Sequence, residues 1–166
     1  MTPLAPIVAT GGPQNSELEV VLVDRWKVEM FVDQRGFCPM VKWMESLEPA
    51  KAAAVDAAVL MFLRRGGISL AGTPWMKPLG EGLFEFRIRH SVQQIRRLAG
   101  ADQPEANESA TRGVLLRIFL TFHGERICLL IAGYDKGRDP SRRRQQREIA
   151  RARRYLTEWR LGNERE

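Results

Sequence analysis

From Leu83 the chain alternates between apolar and polar positions. Phe84, Phe86 and Ile88 fall on one side of an extended segment, and Leu83, Glu85, Arg87 and Arg89 on the other. That pattern predicts a strand with an apolar face and a charged face. "VLLRIFLTFHGERICLLIAGY" (114–134) predicts a hairpin turning at His123-Gly124. Its arms are almost wholly apolar, so they are expected at the centre of the sheet, with Arg117 the one charge inside the first arm. Upstream, "RWKVEMFV" (25–32) is rich in β-branched and aromatic residues and predicts a further strand.

The helical period appears elsewhere. Residues 40–46 predict a short helix. "SLEPAKAAAVDAAVLMFLRRGG" predicts a long one, with Pro49 in its first turn and Gly66-Gly67 at its end. Val55, Val59, Phe62 and Leu63 make its apolar stripe. After a turn at Asp139-Pro140, Ser141 caps a last helix running to about Arg160. Ile149, Ala152, Leu156 and Trp159 lie along one side of it, and Arg144, Arg147, Arg151 and Arg154 along another. Residues 91–113, rich in Gly, Pro, Asn and Ser, predict a long mobile loop. The expected fold is α+β: a small antiparallel sheet of three to four strands, two N-terminal helices on one face, and a basic C-terminal helix. The expected layout is a flexible tail over 1–17, one domain over 18–160 and a short tail over 161–166.

Composition sharpens this picture in two places. The 166 residues suffice for one domain with a real core. No apolar run approaches the roughly eighteen residues of a membrane span, and the first residues lack the basic and apolar regions of a signal peptide. A cytoplasmic, non-membrane protein is therefore expected. The net charge of +6 is also unevenly placed. Between Tyr134 and Arg160 stand ten Lys or Arg against four Asp or Glu, while the rest of the chain is balanced. Such asymmetry suits a polyanion at one face.

The candidate chemistry gathers at "IAGYDKGR" (131–138), where an apolar strand ends in Tyr134, Lys136 and Arg138. Cys38 and Cys128 have no metal-ligand spacing, and no carboxylate cluster suggests a metal or cofactor. Metal-free cleavage of RNA needs a base for the ribose 2′-hydroxyl, positive charge for the phosphorane and an acid for the leaving 5′-oxygen. Arg87 and Arg117 suit the charge-stabilising role, because a guanidinium stays ionised and grips two phosphate oxygens. Arg87 has a simpler use, a salt bridge to Glu85. Arg117, flanked by Leu116 and Ile118, needs a partner or a cleft. Tyr134 is expected to stack on a base or to transfer a proton, its pKa lowered by adjacent cations. Lys136 is a base or acid if like charges depress its pKa. His90 and His123 are the only histidines, so a two-histidine mechanism would require them to meet. The arginine stripe of the last helix, with Arg89, is expected to bind RNA backbone.

Three segments together resemble a known family. "KPLGEGLFEFRI", "LLRIFLTFHGERICLLIAGYDKGRDPS" and "REIARARRYL" are similar, in order and spacing, to the RelE/ParE toxin superfamily, most closely its HigB-like, phage-derived branch. The resemblance spans about residues 25–160. The chain differs in having Tyr134 where Phe is commoner, Gly137-Arg138 where a second Lys is often adjacent, a longer loop and an extra N-terminal segment. The resemblance implies a RelE-like fold and a toxin of a type II toxin–antitoxin system that cleaves mRNA on the ribosome without a metal. It also implies an antitoxin partner, expected to be a helix-turn-helix protein. The alternatives are a ParE-like gyrase inhibitor and a non-catalytic, phage-derived nucleic-acid-binding protein.

Overall fold

A computed structural model describes residues 25–101 and 112–164. The expected tail over 1–17, residues 18–24 of the expected domain, the middle of the expected loop (102–111) and residues 165–166 lie outside the described residues. In chain order the elements are β1 (Lys27–Met30), α1 (Pro39–Ser46), α2 (Pro49–Ala58), β2 (Met76–Gly80), β3 (Leu83–Ile88), α3 (Val92–Leu98), β4 (Leu116–His123), β5 (Ile127–Asp135) and α4 (Arg142–Glu164). Helix α2 runs on through a π-helical turn (Val59–Leu63), one α turn (Arg64–Gly66) and a 3₁₀ turn (Gly67–Leu70).

The architecture is α+β, with a five-stranded sheet in the order β1-β5-β4-β3-β2. The sheet is mixed and larger than expected. β3, β4 and β5 form the antiparallel centre, but β1 pairs with β5 in parallel. β2 is a strand that periodicity did not predict. Pro78 lies within it, and a proline is tolerated only at an edge or bulge. β2 occupies an edge and slips register between Pro78 and Gly80. The turn into β3 has Gly80, Glu81 and Gly82 all at positive φ, a run that favours glycine at both flanks.

The apolar face of β3 packs where periodicity put it. Phe86 and Ile88 join Ile118, Leu120, Cys128 and Leu130 beneath Val55 and Leu63 of the α2 segment. Trp43 of α1 lies directly on β5. A Cβ at Gly133 would meet its ring at 2.4 Å, so only glycine allows this approach. α3 joins the same layer through Val92 and Ile95. Residues 91–101 are thus not the loop expected there. Ser91 and Gln94 form a reciprocal capping box that starts α3.

The opposite, charged face is also covered. Ala152 and Leu156 of α4 are buried against Leu83, Phe119, Leu129, Ile131 and Tyr134, with Ile149 and Trp159 alongside. The sheet is therefore sandwiched between helices on both faces. The basic helix is a structural layer as well as a charged surface. Ser141 caps it, accepting from the Arg144 N–H at 3.1 Å. The helix extends past the expected end, since 161–164 are helical rather than tail. None of the described helices is long and apolar enough to cross a membrane.

Candidate nucleic-acid interface

Strand register decides which side chains meet. Arg87 on β3 lies directly opposite Arg117 on β4, and Arg117 opposite Tyr134 on β5. The three form one row across the centre of the sheet, on the face toward α4. Two guanidinium groups opposite each other repel unless a counter-charge intervenes. Glu85, two residues before Arg87 and so on the same face, supplies it. Its carboxylate is fully buried. Oε1 accepts from Arg87 Nε at 3.0 Å and lies 3.8 Å from Arg117 Nε, while Oε2 accepts from Gln145 Nε2 of α4 at 3.3 Å.

Arg117 is 4% exposed and meets its partner in Glu85 as an ion pair at 3.8 Å, with Nε itself making no hydrogen bond. Burial pushes its pKa below the ordinary arginine range, and Glu85 opposes that shift. Its Nη1 also donates to the Leu116 carbonyl at 3.3 Å. Arg87 is more open, its side chain 25% exposed, so the ion pair with Glu85 leaves part of the guanidinium facing solvent.

Tyr134 differs from its sequence-based role. It is 1% exposed, stacked on Phe119 at 5.9 Å between centroids, with the Arg144 guanidinium 5.4 Å above its ring. Adjacent cations were expected to lower its pKa. Instead burial pushes the phenol up to about 12, with Glu85 adding to the rise and Arg117 opposing it. A buried neutral phenol is no base at neutral pH and presents no ring face to a nucleobase. The same shift gives an alkaline signature. The folded pKa lies above the unfolded value of about 10, so the stabilisation from Tyr134 is complete below that value and is lost as pH rises through about 12. Ultraviolet titration should show one tyrosine ionising late, and thermal midpoints should fall across that window. Tyr134→Phe should remove both effects.

Lys136 follows two residues later and is half-buried. Burial and then the charge of Arg117 hold its ammonium below the ordinary lysine range. Arg87 and Arg89 push the same way, and Glu85 opposes them. Lys136 therefore shares a field with Arg117, Arg87 and Arg89, as the alternation of the strand implied. Arg138 is exposed and lies between two clefts. It lines one of about 330 Å³ with Trp43, Lys51, Asp135 and Arg144, and a second of about 480 Å³ with Lys51, Asp135 and Arg89. There the Lys51 ammonium donates to Asp135 at 2.5 Å. Arg89 is exposed and donates to the Pro74 carbonyl at 3.0 Å.

The helix arginines divide. Arg144 donates to Glu148 at 2.7 Å, and Arg151 Nε donates to the Tyr155 hydroxyl at 3.3 Å. Arg147 and Arg154 are exposed. Arg153 and Arg160, absent from the expected stripe, grip the β2–β3 turn: Arg153 donates to the Leu79 and Gly80 carbonyls and Arg160 to that of Glu81. The histidines do not meet. His90 follows the end of β3 and lies against Trp75, whereas His123 ends β4 at the far side of the sheet, 3.4 Å from Glu29 and against Trp159. Both cysteines are free, and burial raises the Cys128 thiol to about 12. Among the described residues no group of three or more His, Cys, Asp or Glu is placed to hold a metal ion.

Sequence reasoning named Glu85 as a salt-bridge partner of Arg87, which the structure has, and passed over Gln145 and Glu148. Glu85 carried a signal, since its i, i+2 spacing from Arg87 puts both on one face. Gln145 and Glu148 carried none, because their role depends on how α4 crosses the sheet. No family model, no curated protein and no solved structure matches this chain.

Proposed function

We propose that this chain is a HigB-like toxin of the RelE/ParE superfamily, a metal-independent endoribonuclease that cleaves mRNA on the ribosome and is held in check by a helix-turn-helix antitoxin. One observation carries the reading: Arg87 and Arg117 face each other across β3 and β4 around Glu85, and Lys136, two residues past Tyr134 of the same row, is held below the ordinary lysine range by burial and by the charges of Arg117, Arg87 and Arg89. Lys136, Arg87, Arg89 and Arg117, set against Glu85, give this part of the face a positive character, which suits a phosphate. In this reading the 2′-hydroxyl attacks the adjacent phosphorus, a cyclic phosphate forms and the 5′-oxygen leaves with a proton. Arg87 shares the charge on the phosphorane. Lys136 moves a proton. Arg117 acts from behind, held by Glu85. Tyr134 supports Phe119 and Arg144 rather than the substrate.

The test is incubation of the purified chain with mRNA in a purified translation system. Cleavage that needs ribosomes and persists with a chelator supports the reading. Intact mRNA with loss of DNA supercoiling activity would move the chain to the ParE arm.

A second reading has its own support. Glu85 neutralises much of the arginine row, and α4 covers Tyr134. Both favour a protein that binds RNA backbone without cutting it. Either reading gives Arg147 and Arg154 the same task, because they are the exposed members of the stripe. Arg147→Gln with Arg154→Gln should leave the fold intact and reduce the salt-dependence slope of RNA binding by about two. An unchanged slope would leave these arginines as a solvated face only.

A further inference from the structure

We propose that the chain forms a symmetric homodimer by pairing β1 antiparallel with β1 of a second copy, centred on Met30. The inference does not depend on the proposed catalytic reading. It begins with the two edges of the sheet. The β2 edge is blocked by Pro78, by its register slip and by Arg153, which takes the Leu79 and Gly80 carbonyls. At the β1 edge Arg64 takes the backbone groups of Trp26, but among the described residues no strand lies beyond β1 itself.

Backbone alternation fixes what this edge offers. Lys27 N–H donates to Arg126 and Phe31 N–H to Leu130, so Lys27, Glu29 and Phe31 turn their backbone groups toward β5. Val28, Met30 and Val32 therefore turn theirs outward. Their side chains share the sheet face that carries an apolar groove lined by Val28, Met30, Met40, Val59 and Leu60. Met30 is 43% exposed and Val32 53%.

Charge and sterics then select one register. Centring on Val28 would bring Met30 against Trp26, whose N–H and C=O are already bonded to Arg64. Centring on Glu29 would set two carboxylates face to face, which is destabilising. Centring on Met30 avoids both. It makes Met30 a hydrogen-bonded pair with its own counterpart, sets Val28 opposite Val32, and brings Lys27 opposite Asp33. In this register the edge is self-complementary in charge, with Lys27 of each copy opposite Asp33 of the other, as a two-fold interface requires.

Light scattering of the full chain over a concentration series should show a dimer. Cysteine substitution locates the axis, in a Cys38→Ser background to remove the half-exposed native thiol. Residues paired across the axis lie about 5.5 Å apart at Cα, inside the roughly 4.4–6.8 Å range of a disulfide. Met30→Cys should therefore cross-link to itself under mild oxidation. Val28→Cys should not, because its counterpart is displaced by four residues, about 14 Å along the strand. Mixing Val28→Cys with Val32→Cys should restore cross-linking. A wild-type chain that stays monomeric at every concentration overturns the proposal. So does a dimer in which Val28→Cys cross-links as readily as Met30→Cys. Slow amide exchange at Val28 and Met30 in a monomer would mean that another part of the chain covers the edge, and would overturn it equally.

Discussion

Replacing Glu85 with alanine is expected to destabilise the fold by about 3–5 kcal/mol, the cost of breaking a buried ion pair by removing one partner. Glu85 is fully buried and is the counter-charge for Arg87 and Arg117, which face each other across β3 and β4. Without it, two guanidinium groups confront each other beneath α4, one of them 4% exposed, and Gln145 loses its acceptor. Urea unfolding should report the loss as a shift in midpoint with little change in slope. Glu85→Gln should fall between wild type and alanine, because the amide still accepts hydrogen bonds but carries no charge. Removing both partners, Glu85→Leu with Arg117→Leu, should recover much of the stability, since a well-packed apolar pair often equals a buried ion pair. A Glu85→Ala protein within about 0.5 kcal/mol of wild type, the usual range for a surface change, would show that the row tolerates its own repulsion. Arg117→Ala should likewise destabilise, because it leaves Glu85 buried with less compensation. Loss of activity in that variant therefore says little about catalysis unless folding is measured beside it.

The parts of the fold legible in the sequence are those governed by local period. The alternation of Phe84, Phe86 and Ile88 placed the inner face of β3, and the stripe from Val55 to Leu63 placed the segment that covers it. Ser141 marked the start of α4. What stayed illegible depends on partners distant in sequence. The parallel pairing of β1 with β5 joins Lys27 to Ile127, and nothing in either segment specifies it. The covering of the charged face by α4 follows from the stripe of Ile149, Ala152, Leu156 and Trp159, but that stripe does not say which layer it meets. Helix α3 was legible in principle, because Ser91 and Gln94 have capping-box spacing; the Gly- and Pro-rich residues that follow obscured it. At the site, alternation grouped Tyr134 and Lys136 with Arg87. It could not foresee that burial would set the pKa of Tyr134, nor that Arg138 would leave the strand path at the turn, where the Gly137 N–H bonds to both the Leu115 carbonyl and the Asp135 carboxylate.

Lys136→Ala is expected to reduce ribosome-dependent mRNA cleavage by about 10²–10³, the usual cost of removing one preorganised charged donor. Stability should change little, because the ammonium is held in an unfavourable field by burial and by Arg117. That separation distinguishes Lys136 from Glu85, whose loss acts through the fold. Lys136→Arg then divides two roles. An arginine keeps the positive charge but does not deprotonate near neutral pH. Retained cleavage would assign Lys136 to charge stabilisation; lost cleavage with retained ribosome binding would assign it to proton transfer. The pH profile fixes the direction of transfer. Because the pKa of Lys136 is depressed, a base role predicts a rate that rises with pH through that lowered value, and an acid role predicts a rate that falls through it. Either limb should vanish in Lys136→Ala. If the profile is flat in wild type and the alanine variant cleaves at full rate, the positive character beside Arg87 serves binding alone, and the non-catalytic reading takes its place.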